Sequence, residues 1–178
     1  MKRSLLLIIS LFFGGALYST SLEDRYVMKT FDNGQLYFIA PYDIPSQLSK
    51  TKALSADITY LTISDSITMN ISVWTTNELA TDSIVLVAQD RFPIYNFQTF
   101  FIEMDGKLWM HRYSLRYPLS KLVQLYGSPE PFSLCVYANE KCYTYSWSAK
   151  SWKKEQIWMN QILHIIISNK RLYEKERK

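Results

Sequence analysis

The sequence predicts a mainly β (α+β) domain, an antiparallel β-sandwich or strongly curved sheet with one C-terminal α-helix packed on it. Three observations carry this expectation. Of 178 residues 48% are hydrophobic and 15% aromatic, with 13 Tyr among them, and aromatic side chains favour strands. Short runs that alternate apolar and polar residues recur between turn signals, as half-buried strands do. From Ala149 onward the chain holds neither Gly nor Pro, which leaves room for one long helix after the strands.

Met1-Lys2-Arg3 precede the apolar stretch Leu5 to Leu17 and the small polar run Ser19-Thr20-Ser21. That is the order of a secretory signal peptide. Residues 1–21 are therefore expected to be a leader, cleaved after Ser19 or Ser21, and residues 22–178 a single exported domain of the periplasm or cell surface. The apolar stretch falls short of the ~20 residues that span a bilayer, which argues against a retained anchor. The first cysteine is Cys135, so no lipoprotein cysteine closes the leader. Lys2 and Arg3 supply two charges of the formal +4, and the tail from Asn169 to Lys178 holds five Lys/Arg against two Glu. The body between is near neutral and lacks the basic face that nucleic acid requires.

Arg25 to Phe31 and Gln35 to Ala40 flank Asp32-Asn33-Gly34, whose Asn and Gly suit a tight hairpin. Two-residue and three-residue loops sort the side chains equally there, and the register stays open. Pro41 to Lys52 reads as a loop. In the next hairpin, Leu61 opposite Met69, Ile63 opposite Ile67 and Thr59 opposite Ile71 gather the aliphatic side chains. Tyr60, Thr62, Thr68, Asn70, Ser72 and Trp74 then form a wet face, around a Ser64-Asp65-Ser66 loop. Ile84 to Ala88 is a more deeply buried strand, which Phe92-Pro93 breaks from the next pair. That pair, Tyr95 to Glu103 and Lys107 to Leu115, turns at Met104-Asp105-Gly106. Phe100, Ile102, Leu108 and Met110 share a face, and Glu103 stands opposite Lys107.

Leu119 to Tyr126, between Pro118 and Gly127-Ser128-Pro129, is a short helical turn or loop. Phe132 to Tyr137 and Lys141 to Trp147 form the last hairpin. Cys135 opposite Cys142 puts Phe132, Leu134, Val136, Tyr143, Tyr145 and Trp147 on one face, with Ser133, Tyr137 and Thr144 on the other. Ser151 then caps a helix over 151–174, whose apolar face includes Trp152, Met159, Ile162, Ile166 and Tyr173. Lys170 with Glu174, and Glu174 with Lys178, are i,i+4 pairs that support it.

Cys135 and Cys142 are the only cysteines. In an exported chain such a pair reads as a structural disulfide, since directly opposite strand residues lie ~4.5 to 5.5 Å apart at Cα, with two buried free thiols as the alternative. His111 and His164 are the only histidines, and no other ligand stands at metal-binding spacing from either, so neither metal nor cofactor is expected. No G-x-S-x-G elbow is present, and Ser49 to Lys52 and Ser151 to Lys154 match S-x-x-K without its companion motifs. Glu103/Asp105 and Asp82/Asp90 lie at turns or strand ends, and no glycine loop for phosphate appears. Trp109, His111, Tyr113 and Tyr117 share one strand face, with Arg112 and Arg116 on the other. Exposed, that aromatic row stacks on sugar rings or a partner protein; buried, it is core.

The leader, the D-x-T-Y-x-T-x-x-D-S-x-T-x-N stretch from Asp57 to Asn70, and the terminal helix of Trp and Ile residues resemble small uncharacterised exported β-rich proteins of Bacteroides-type bacteria. The resemblance implies a periplasmic or surface location and carries over no functional residue. The resulting expectation is an exported non-enzymatic binding or interaction protein of the bacterial envelope with a protein or carbohydrate partner. A small hydrolase using a carboxylate pair and a carrier of an apolar ligand are the alternatives. The terminal helix is expected to dock in cis, with membrane-surface contact as the other use of its apolar face.

Overall fold

The computed structural model describes residues 22–32, 34–45, 54–94 and 96–176. The expected leader, Asn33 of the first turn, residues 46–52 of the expected loop, Tyr95 at the start of an expected strand and the Lys178 end of the Glu174 pair lie outside them. A 3-10 turn, Leu22–Asp24, leads into β1 (Tyr26–Phe31), β2 (Gly34–Ile44), β3 (Leu54–Leu61) and β4 (Ser66–Thr75). There follow β5 (Thr81–Val87), β6 (Arg91–Ile94), β7 (Phe97–Asp105), β8 (Leu108–Pro118), α1 (Leu119–Gly127), β9 (Ser133–Ala138), β10 (Lys141–Ser146) and α2 (Ala149–Glu176). Six strands form one sheet in the order β1-β2-β3-β4-β8-β7, and four form a second in the order β10-β9-β5-β6. Tyr37, Ile58, Met69 and Leu115 from the first sheet share one core with Ile84, Leu134 and Val136 from the second and with Trp152 and Ile162 of α2. The fold is thus the expected one, mainly antiparallel β with a C-terminal helix laid on it.

Local chemistry explains where the elements depart from expectation. β2 does not stop at Ala40. It runs through Pro41 because the β2–β3 register shifts between Ile39 and Tyr42, and an irregularity of this kind tolerates a residue without an N–H. In the β3–β4 hairpin, Ile58 faces Met69 and Tyr60 faces Ile67, three residues away from the expected pairing. An odd shift exchanges the faces of one strand. Ile58 and Tyr60 are therefore in the core, whereas Ile63 is 47% exposed; the two faces of β4 fall as expected.

Phe92-Pro93 does not break the chain but sits inside β6, an edge strand of the smaller sheet, where Pro is admissible. The β7–β8 hairpin closes with Asp105 facing Leu108, so that Glu103 faces Met110 rather than Lys107. Gly106, with φ +66, takes the first place of the two-residue loop, the position a II′ turn gives to glycine. A further register shift between Thr99 and Phe101 leaves Phe100 exposed.

β9 and β10 are joined by Asn139 and Glu140, both left-handed, as a I′ loop requires. That loop slips the expected register by two residues, setting Cys142 against Tyr137 and Cys135 against Thr144. An even slip preserves the faces, and Leu134, Val136, Tyr145 and Trp147 are buried together. It also removes the direct opposition on which the disulfide expectation rested: Cys135 and Cys142 are free thiols.

The Leu119 to Tyr126 segment is helical, as α1. α2 begins earlier than expected, because the Ser148 hydroxyl, not that of Ser151, accepts from a first-turn amide, Ser151 N–H, at 3.3 Å. Its expected apolar face is buried at Trp152, Met159, Ile162 and Ile166, and Lys170 lies 3.9 Å from Glu174. Polar anchors hold the helix in cis. Asn169 Nδ2 donates to the Tyr37 hydroxyl at 2.6 Å, and Lys170 Nζ meets Asp65 at 2.6 Å. The amides of Gln156 and Asn160 satisfy the Tyr126 carbonyl near the C-terminus of α1 at 2.9 and 3.1 Å, a group that has no partner inside its own helix. No helix among the described residues is long and apolar enough to cross a membrane.

Candidate functional site

β8 carries both candidate faces. On one lies the expected aromatic row, and burial decides its role: His111, Tyr113 and Tyr117 are 0%, 1% and 3% exposed, while Trp109 at the strand's start is half-buried. Tyr113 stacks on His111 with ring centroids 6.3 Å apart, and its hydroxyl shares a hydrogen bond with Thr81 at 2.6 Å. His111 Nε2 lies 3.1 Å from the Thr75 hydroxyl. Burial pushes the histidine pKa below its ordinary value, partly offset by a backbone hydrogen bond at Asn77, so the ring is neutral at pH 7. His111, Tyr113 and Tyr117 pack the interior, and the half-buried Trp109 reaches solvent at the strand's start.

The even-numbered residues of the strand point the other way. Arg112 faces Ser72, Ser114 faces Asn70 and Arg116 faces Thr68 across β4, and on the far side of β4 Asp57 faces Asn70 and Thr59 faces Thr68. The outer surface of the larger sheet is therefore a grid of hydroxyls, amides and charges. At its centre Arg112 Nη2 meets Asp57 Oδ2 at 2.6 Å, Arg112 Nη1 donates to Ser72 Oγ at 2.8 Å and Asn70 Nδ2 donates to Asp57 Oδ1 at 2.8 Å. The Asp57 side chain is only 6% exposed, a burial that a carboxylate sustains when paired and hydrogen-bonded. Asn70 Oδ1 is buried and accepts no hydrogen bond.

Beside this centre the sheet surface sinks into an open cleft of about 630 Å³ lined by Ser66, Thr68, Asn96, Phe97, Gln98, Ser114 and Arg116. Phe97 turns its ring edge-on to Tyr113, so the cleft's chemistry comes from three hydroxyls, two amides and a guanidinium. Arg116 is exposed and, among the described residues, engages in no ion pair. On the other side of Arg112 stand Phe101, 40% exposed, and Trp74, whose Nε1 donates to Asp105 Oδ2 at 2.7 Å.

The expected row lies on the face of β8 that the structure buries at His111, Tyr113 and Tyr117. The usable signal was the strict alternation of Arg112, Ser114 and Arg116 with His111, Tyr113, Leu115 and Tyr117, which separates an interior row from a wet one. The remaining candidates stay dispersed. Asp82 is the second residue of β5 while Asp90 lies in the loop before β6, and among the described residues no three His, Cys, Asp or Glu come close enough to hold a metal ion. No family model, curated protein or solved structure matches this chain. The grid itself can hydrogen-bond a polyhydroxylated ligand from several sides and offer one cation to an anionic group.

Proposed function

We propose that this chain is an exported, non-enzymatic binding protein of the bacterial envelope that holds a carbohydrate bearing an acidic substituent on the outer face of its six-stranded sheet. The observation that carries the reading is the cleft in which the Arg116 guanidinium stands among Ser66, Thr68, Ser114, Asn96 and Gln98. Hydroxyl and amide groups satisfy sugar hydroxyls as donors and acceptors, and a guanidinium matches a carboxylate with two parallel hydrogen bonds. Phe101 adds an exposed ring nearby for stacking. The leader-like order of residues 1–21 and the resemblance to exported β-rich proteins support the location.

The test is binding of oligosaccharides with and without uronic acid units, measured for the wild-type chain and for Arg116→Ala. Acidic glycans are expected to bind, and Arg116→Ala to weaken them at least about tenfold, the effect of one charge-assisted hydrogen-bonded pair, with an unchanged melting temperature. Equal binding of acidic glycans by both proteins, or by neither, would reject the site. Intact mass of the protein recovered from the envelope fraction reports separately whether the leader is removed.

A further inference from the structure

A second polar cluster lies on the outer face of the smaller sheet and owes nothing to the cleft. Cys135 of β9 is buried and Cys142 of β10 half-buried, both as free thiols. Thr144 links them, its hydroxyl 3.8 Å from Cys135 Sγ and 3.4 Å from Cys142 Sγ. Arg91 of β6 sets its guanidinium over the Tyr137 ring at 5.8 Å, where it donates to the Tyr137 hydroxyl. Tyr137 in turn faces Cys142 across the hairpin.

We propose that Cys135 and Cys142 form a two-coordinate site for a soft monovalent cation, Cu(I). Cys135 and Cys142 are diagonal neighbours, each two residues from direct opposition, Cys135 facing Thr144 and Cys142 facing Tyr137, and the Thr144 hydroxyl lies against both unjoined sulfurs. Two sulfurs held across a linear metal ion lie roughly 4.5 Å apart, twice a metal–thiolate bond of about 2.3 Å.

Ligand number selects the metal. Zinc takes four ligands in structural sites and three in catalytic ones, and among the described residues no third Cys, His, Asp or Glu joins the pair. Thiolates with two-fold coordination leave Cu(I), a soft ion. Binding replaces both thiol protons: one Cu(I) and two thiols give a bis-thiolate complex of charge −1 and two released protons. The Arg91 guanidinium, whose charge reaches Cys135, compensates that new negative charge.

The test is anaerobic titration of the reduced full chain with Cu(I) supplied as its bicinchoninate complex. Wild type is expected to withdraw one equivalent, Cys135→Ser and Cys142→Ser to bind at least about a hundredfold more weakly, and Arg91→Gln about tenfold more weakly, as loss of an outer-shell partner does. A measurement without variants keeps the outcome clear if a substitution unfolds the chain: bound copper should protect both thiols of the wild type from alkylation. The proposal falls if wild type withdraws no more copper than the double Ser variant, if copper leaves alkylation unchanged, or if intact mass of the unreduced protein finds the two sulfurs joined.

Discussion

Asp57 and Arg112, 55 positions apart in the chain, meet on the outer face of the larger sheet with Nη2 and Oδ2 2.6 Å apart. β4 lies between their strands, so the pair ties three neighbouring strands together above the β4 residues Asn70 and Ser72. Removing Asp57 leaves a partly buried guanidinium and the Asn70 amide without their acceptor. Asp57→Ala is expected to cost about 2 kcal/mol, below the ~3 to 5 kcal/mol of a fully buried pair because the Arg112 side chain is 27% exposed. Urea unfolding measures it. The double variant Asp57→Ala with Arg112→Met should recover part of the loss, and a double variant no better than Asp57→Ala alone would assign the cost to packing.

Two glycines should respond differently to the same substitution. Gly34 has φ +131, and a Cβ there would stand 2.6 Å from Thr62 Oγ1, the atom that accepts the Gln35 N–H at 2.9 Å. Gly34→Ala therefore combines backbone strain with a lost hydrogen bond, and about 2 to 4 kcal/mol of destabilisation is expected. Gly106 has φ +66 with nothing within 4 Å of the added atom, so Gly106→Ala should cost only the left-handed penalty of about 1 to 2 kcal/mol. Paired melting curves decide it, and equal losses would show that the Thr62 contact adds nothing.

Glu155 supplies a pH dependence. Burial raises its pKa above the ordinary 4.5, with the charges of Arg25 and Lys154 acting in the opposite direction, and its Oε2 is buried without a hydrogen-bond donor. Above 4.5 and up to the raised value the folded chain holds a proton that the unfolded chain releases, so stability falls as pH rises through that window. Glu155→Gln should remove this fall: its advantage over wild type should grow from about pH 4 towards neutrality. Urea midpoints across that range test the sign, and parallel profiles would show Glu155 to be fully solvated.

The sequence made the class of fold legible because the hairpin-forming strands, the glycine-free and proline-free final segment and the burial of β5 depend only on local pattern, whereas β6 escaped because Phe92-Pro93 reads as a break. Registers depended on loop length, which alternation alone did not settle. In β3 the alternation of Leu54, Ala56, Ile58 and Tyr60 is the true interior row. Treating Tyr60 as polar and Leu61 with Ile63 as core led to the flipped assignment. A tyrosine belongs inside when its hydroxyl reaches a partner, and that of Tyr60 lies 3.5 Å from the Thr62 carbonyl. The polar cleft escaped notice because its residues come from β4, β7, β8 and the approach to β7, and only strand order brings Thr68, Gln98 and Arg116 together.

Vectorial synthesis gives the helix anchors a temporal meaning. α2 follows every strand, yet Asn169 grips Tyr37 of β2 and Trp158 packs edge-on against Tyr42 of the same strand at 6.0 Å. While the chain is being made, the ten strands of the described residues emerge before the helix that packs on Tyr37 and Tyr42. Assembly is locked from the rear, and a chain cut off before Ala149 would keep every described strand and leave Tyr37 and Tyr42 without the helix that covers them.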